Sequence, residues 1–195
     1  MNTVADIALI GTLAVVWLAA GLLADGLPVA RTAAEMRRRA MLLSTLVGLG
    51  TLIYLAVPVV TSLVPGPTAA PTAALLAGVP MIVVLTTTRR RLAQVRGGAG
   101  AFATAPHAPV PPGLIAAAAH PLVAAPLQVT GLAAMIGLPI AAGLVEVPGA
   151  AVVSIALATT GLVIAAIAIR HGLRHSRLSV GAIAPLKRLP KQLLP

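Results

Sequence analysis

The sequence contains no cysteine, which removes disulfide staples, thiolate metal sites and cysteine nucleophiles together. Aromatic side chains are nearly as scarce, since Trp17, Tyr54 and Phe102 are the only three. A nucleic-acid surface pairs basic charge with stacking platforms. The net charge of +10 therefore argues for a partner other than nucleic acid. Acids are also few: Asp6, Asp25, Glu35 and Glu146 stand against 14 Lys and Arg. Charged residues make up only 9 % of the chain, where a soluble domain carries about a quarter. Eighteen such residues cannot cover a water-facing surface of this size.

What is there is apolar. Of 195 residues, 58 % are hydrophobic, and the mean hydropathy is +1.01. Crossing a hydrocarbon core of about 30 Å takes about 20 apolar residues at 1.5 Å each. Five uncharged runs meet or approach that length: residues 7–24, 40–64, 68–88, 122–145 and 150–169. The fold class expected is all-α, a polytopic transmembrane helical bundle of five spans. Residues 1–177 form its single domain and residues 178–195 a basic tail. The first run follows Asp6 and no basic residue, unlike a secretory signal peptide, so it is expected to remain as a span.

The connections carry the orientation. Arg31, Arg37, Arg38 and Arg39 follow the first run, and Arg89, Arg90, Arg91 and Arg96 follow the third. The remaining six Arg and Lys come after the fifth. The other side holds only Asp6 and Glu146. The positive-inside rule then places the N-terminus outside and the C-terminus in the cytoplasm, in a cell membrane of bacterial inner-membrane type. Residues 97–121 read as a linker: Gly97, Gly98 and Gly100 make it flexible, and a proline cluster keeps it extended. Within it, residues 114–120 are a short interfacial or re-entrant piece. A sixth span there would carry the basic tail outside.

Ala133, Gly137 and Ala141 recur at four-residue intervals on the fourth span, a small-residue ridge suited to close helix packing. Ala74 with Gly78 and Gly161 with Ala165 repeat the spacing. Spans 2–3 and 4–5 share an order of landmarks, with Gly50 and Pro58 in the first pair and Gly131 and Pro139 in the second. That pattern is a candidate duplicated hairpin. Pro58, Pro80 and Pro139 inside spans each free a carbonyl that a neighbour must satisfy, as an ordinary kink does.

Chemistry is thin. Hydroxyls inside spans bond back to their own helix, and Gln128 is the one amide needing partners from another helix or a substrate. Asp25 has Arg31 as its expected neutralising partner, and Glu35 and Arg39 are spaced for an i, i+4 ion pair. His171 and His175 share a face but sit among arginines, which repel a cation. His120, before the fourth span, has no second histidine at matching depth for a haem. Nucleotide, hydrolase and zinc-protease signatures are lacking. Neither a cofactor nor catalysis is expected. Arg37, Arg38, Arg39, Arg89, Arg90 and Arg91 are expected to attract anionic lipid at the membrane surface. The composition thus favours a non-enzymatic accessory, assembly or scaffold subunit, partnered by the lipid bilayer and by another membrane protein or copies of itself. The alternative is a small transporter or channel component working as an oligomer. A membrane haem protein using His120 ranks third.

Overall fold

The computed structural model describes residues 3–145 and a set of helical residues between 154 and 173, among them Ser154, Leu157, Gly161, Ala165 and Arg170. The turn at Glu146, Pro148 and Gly149, the pair His171 and His175, much of the fifth run and the basic tail lie outside the described residues. Helix α1 spans Thr3–Asp25 and leads through a 3-10 turn, Leu27–Val29, into α2, Ala33–Leu63. Helix α3, Ala70–Val83, continues through a π-helical turn, Val84–Thr88, directly into α4, Arg89–Gly100. Two further helices follow, α5 at Pro112–Ala118 and α6 at Pro121–Ala141. Among the described residues there is no strand, only an isolated bridge between Thr32 and Pro109.

Four helical stretches among the described residues are long and apolar enough to cross a membrane: Thr3–Val29, Ala33–Leu63, Ala70–Gly100 and Pro112–Ala141. Large apolar side chains cover their outsides, including Leu52, Leu55 and Val59 on α2 and Leu75, Val79 and Ile82 on α3. A soluble monomer does not expose apolar surface on this scale. A membrane location fits it.

Helix α6 lies innermost, packed between α1 and α3. In an apolar 18-residue segment of the stretch that includes it 67 % of residues are buried, against 28 % in the corresponding segment of α2 at the periphery. Glycine makes the crossings close. A Cβ on Gly131 would meet the backbone nitrogen of Leu18 at 2.9 Å, and one on Gly21 the Cα of Gln128 at 3.2 Å. On the other side, a Cβ on Gly137 would meet the carbonyl oxygen of Ala73 at 2.9 Å. Trp17, fully buried, lies against Gly50 of α2, where a Cβ would come within 2.8 Å of the indole. Helices without water to expel gain from this backbone-level approach through dispersion.

Helix bounds depart from the apolar runs for local reasons. Helix α2 starts at Ala33 and takes in the arginine triplet because Thr32 caps it, its hydroxyl accepting from the Glu35 amide at 3.2 Å. Two more first-turn amides, of Ala33 and Ala34, donate to the carbonyls of Ala108 and Pro106, each at 3.0 Å. The proline cluster is therefore not a free extended linker but the cap on the start of α2. Its glycine-rich beginning is helical, since α4 runs to Gly100. Leu92, Val95 and Ala99 form a buried stripe along α4, and Gly98 admits Leu114 of α5, whose Cδ1 would sit 2.9 Å from a Cβ. Tertiary packing overrides weak helix propensity here.

At its far end α6 stops at Ala141, four residues before the apolar run does. Gly143 takes a left-handed φ of 69°. Its amide donates to Ile140, and that of Leu144 to Pro139 at 2.9 Å, the paired bonds that close a helix on a left-handed residue.

Candidate functional site

Chain direction alternates along α1, α2, α3–α4 and α6, so the arginines after the first run and those after the third meet at one end of the bundle. The uncharged stretch Ala70–Thr88 spans about 28 Å at helical rise, close to a hydrocarbon core, and Arg89 opens the basic end. Beyond it α2 and α4 continue side by side.

Besides a groove of about 530 Å³ around Glu35, Arg38 and Arg39, two more open there. One, of about 420 Å³, runs between the start of α2 and the loop after α4, with Arg37 and Arg38 above Met41, Leu42 and Phe102. The other, of about 320 Å³, lies between α2 and α4, lined by Ser44, Val47, Gly48 and Thr51 on one side and Arg89, Leu92, Ala93 and Arg96 on the other. Both combine guanidinium groups with apolar walls.

The expected arginines divide by role. Arg37 and Arg38 are exposed beside the first groove and Arg89 beside the second. Arg90 and Arg91 are exposed but line neither of these grooves. Arg39 turns inward: its Nη1 donates to the carbonyl of Gly26 and its Nη2 to Glu35, both at 2.5 Å. It ties the α1–α2 connection together. The Glu35 carboxylate also accepts the backbone amide of Arg31 at 2.9 Å. That hydrogen bond foremost, with the charges of Arg39 and Arg31, holds the Glu35 carboxyl below its ordinary value of 4.5 against some desolvation. Asp25 does not pair with Arg31; its partner is Arg170, 3.7 Å away. The basic residue closing the fifth run thus sits at the same end.

Within the bundle Asp6 and the buried threonines are tied to the backbone, whereas the buried Nε1 of Trp17 has no hydrogen-bond partner among the described residues. Asp6, 1 % exposed, accepts the amide of Ala69 at 2.8 Å and the hydroxyl of Thr68 at 2.5 Å, capping the start of α3. Thr61 and Thr130 donate to the carbonyls of Val57 and Pro126 in their own helices, at 2.8 and 2.7 Å. Thr88, the last residue of the π-turn, reaches across to the Leu122 carbonyl at 2.8 Å. Gln128 lies at the crossing of α6 with Gly21 of α1. His120 caps α6, its Nδ1 accepting from the Leu122 amide at 3.2 Å.

On the small-residue ridge of α6, Ala133, Gly137 and Ala141 are all buried, with Gly137 against α3. Ala74 is buried and Gly78 abuts the Tyr54 hydroxyl, whereas Gly161 and Ala165 are exposed. Of the in-span prolines, Pro58 and Pro139 are exposed. Pro80 joins Pro126 in lining an apolar cavity of about 110 Å³ between α3 and α6, smaller than a typical small-molecule pocket. Among the described residues no three His, Asp or Glu side chains converge as a metal site would need.

Sequence reasoning missed Arg96 as a groove residue, Asp6 as a cap and Thr88 as an interhelical donor. The Thr32-x-x-Glu35 spacing was a readable helix-start signal. Nothing local marks the other three. Comparison with known protein families, with curated proteins and with solved structures gives no match.

Proposed function

We propose that the chain is a non-enzymatic accessory, assembly or scaffold subunit of a larger membrane complex. It has five spans in a cell membrane, with the N-terminus outside and the basic end in the cytoplasm. The observation that carries this reading is how the polar groups of the spans are used. Asp6, Thr61, Thr88 and Thr130 each bond the chain's own backbone, so they serve the fold, and what the molecule offers to others is its outside. That outside is apolar along the helices, with small Gly161 and Ala165 exposed on the fifth, and basic at one end.

The Asp25–Arg170 ion pair supports the fifth span and its direction, because it brings the end of that run to the basic end. Gly50 and Gly131, matched in the candidate duplicated hairpin, both abut α1, at Trp17 and at Leu18. That placement supports a pseudo-symmetric arrangement of spans 2–3 and 4–5 about α1.

Native mass spectrometry after gentle extraction, with crosslinking in the native membrane, tests the role: a stoichiometric complex is expected, and a lone monomer throughout overturns it. Reporter fusions after Thr88 test the orientation, which an external signal would reverse. The alternative, an oligomeric transporter or channel, would show solute flux in liposomes that Gln128→Leu abolishes.

A further inference from the structure

We propose that the groove between α2 and α4 binds the phosphate of an anionic phospholipid, with Arg89 and Arg96 as its cationic clamp. Arg89 and Arg96 are two turns apart on one face of α4 and flank the same groove, separated by about 10 Å of helical rise. Neither has a carboxylate partner among the described residues, where the ion pairs are Arg39 with Glu35 and Arg170 with Asp25. Asp6, the remaining described acid, is used at the opposite end. Ser44 and Thr51, across the groove, spend their protons on the carbonyls of Ala40 and Val47, at 2.8 and 2.7 Å. The donors left for a ligand are the two guanidinium groups, whose planar fork suits phosphate oxygens. The ligand is therefore an anion.

Its source follows from the position. The groove starts where the uncharged helix ends, the depth at which lipid phosphates sit. Gly48 leaves its floor open, with no atom within 4 Å of where a Cβ would lie. From Gly48 a track of exposed apolar side chains, Leu52, Leu55 and Val59, continues along the same face of α2 away from the basic end. A phosphate in the groove and an acyl chain on that track would bind together. Basic pockets between helices at the cytoplasmic side suit anionic headgroups.

The inference rests on the basic end lying at the membrane surface, so carbonate extraction of each variant first establishes that the chain is inserted. Failure at that step overturns the membrane reading itself. Full-length protein is then released from micelles containing equal phosphatidylglycerol and phosphatidylcholine, and the retained lipid is measured by native mass spectrometry. Wild type is expected to keep phosphatidylglycerol. Arg89→Gln with Arg96→Gln lowers its retention about a hundredfold, the scale of losing two charge-assisted hydrogen bonds to one phosphate. Gly48→Leu, which fills the floor without removing charge, also lowers it. Arg90→Gln with Arg91→Gln, equal in charge but outside the groove, loses only the unspecific surface attraction and so lowers it several-fold less than the groove pair does. Equal losses in the two arginine pairs, or no loss on filling Gly48, would overturn the site. Excess inorganic phosphate should leave the lipid in place. Its displacement would assign the groove to free phosphate instead and overturn the lipid assignment.

Discussion

Thr88 donates its hydroxyl proton to the carbonyl of Leu122 across the α3–α6 interface, the acceptor that Pro126 leaves without an amide. Pro126 lies four residues after Leu122 inside α6 and has no N–H to give. The π-turn at Val84–Thr88 presents the donor. There the Thr86 and Thr87 hydroxyls bond to the Ile82 and Val83 carbonyls, acceptors that an α-helix reserves for amides, and such back-bonding loosens a helix.

Thr88→Val removes the donor at constant shape and is expected to destabilise the bundle by about 1 kcal/mol, the scale of a buried interhelical hydrogen bond. Thr88→Ser should remain close to wild type. Pro126→Ala restores an amide to the Leu122 carbonyl, so Thr88→Val should cost less in that background. A double-mutant cycle in detergent, followed by the fluorescence of the single tryptophan Trp17, measures the coupling. Additive effects would sink the account.

The two kinds of glycine in the helices separate cleanly. A methyl on Gly137 meets the Ala73 carbonyl oxygen at 2.9 Å, whereas one on Gly48 meets nothing. Gly137→Ala therefore forces α3 and α6 apart and is expected to cost about 1–3 kcal/mol. Gly48→Ala lies in open space and should stabilise by about 0.5–1 kcal/mol through backbone entropy. Thermal unfolding of both variants in one detergent gives the comparison. Equal effects would mean that the α3–α6 contact is not close.

Asp6 caps α3 from another helix, 63 residues away in sequence from the Ala69 amide. Asp6→Ala leaves that amide and the Thr68 hydroxyl without their acceptor and is expected to cost about 1–2 kcal/mol. Asp6→Asn keeps one acceptor oxygen and should fall between. Hydrogen exchange at the first turn of α3 is the direct readout, and unchanged protection in Asp6→Ala would exclude the cap.

The helical character of this chain and the gathering of its arginines were legible because both are long-range averages: no local exception among Ala40–Leu63 or Ala70–Thr88 changes their length or polarity. The ends were less legible. A helix that continues past an arginine triplet into Gly97–Gly100 does so because Leu92, Val95 and Ala99 find α2, and a one-dimensional pattern does not show that partner. The pairing of Asp25 with Arg170 rather than Arg31 has the same origin. Arg31 is nearer in sequence, but the end of the fifth run comes to Asp25 in space. The ridge Ala133, Gly137 and Ala141 could be written down from spacing alone, yet which helix it meets could not.

Glu35 gives the basic end a defined acid sensitivity. Its carboxylate accepts the Arg31 amide and pairs with Arg39, which in turn holds the Gly26 carbonyl. The Arg31 hydrogen bond and the neighbouring charges depress the folded-state value below 4.5. A depressed carboxyl contributes stability above its unfolded value and loses it as pH falls through the folded one. The start of α2 is therefore expected to be fully secured at neutral pH and to loosen as the pH drops below about 4.5. Glu35→Gln removes the ionisation and should make exchange of the Arg31 amide and tryptic cleavage at Arg31 faster at pH 7, while flattening the change in exchange on acidification once the intrinsic rate is divided out. High salt should weaken the coulombic share of the Arg39 pair, which is about one-third exposed, more than the Arg31 hydrogen bond, because screening acts on attraction between two full charges more than on a directional bond to a neutral amide. If Glu35→Gln instead retained the wild-type acid response, the sensitivity would belong to another carboxyl and the role assigned to this one would fail.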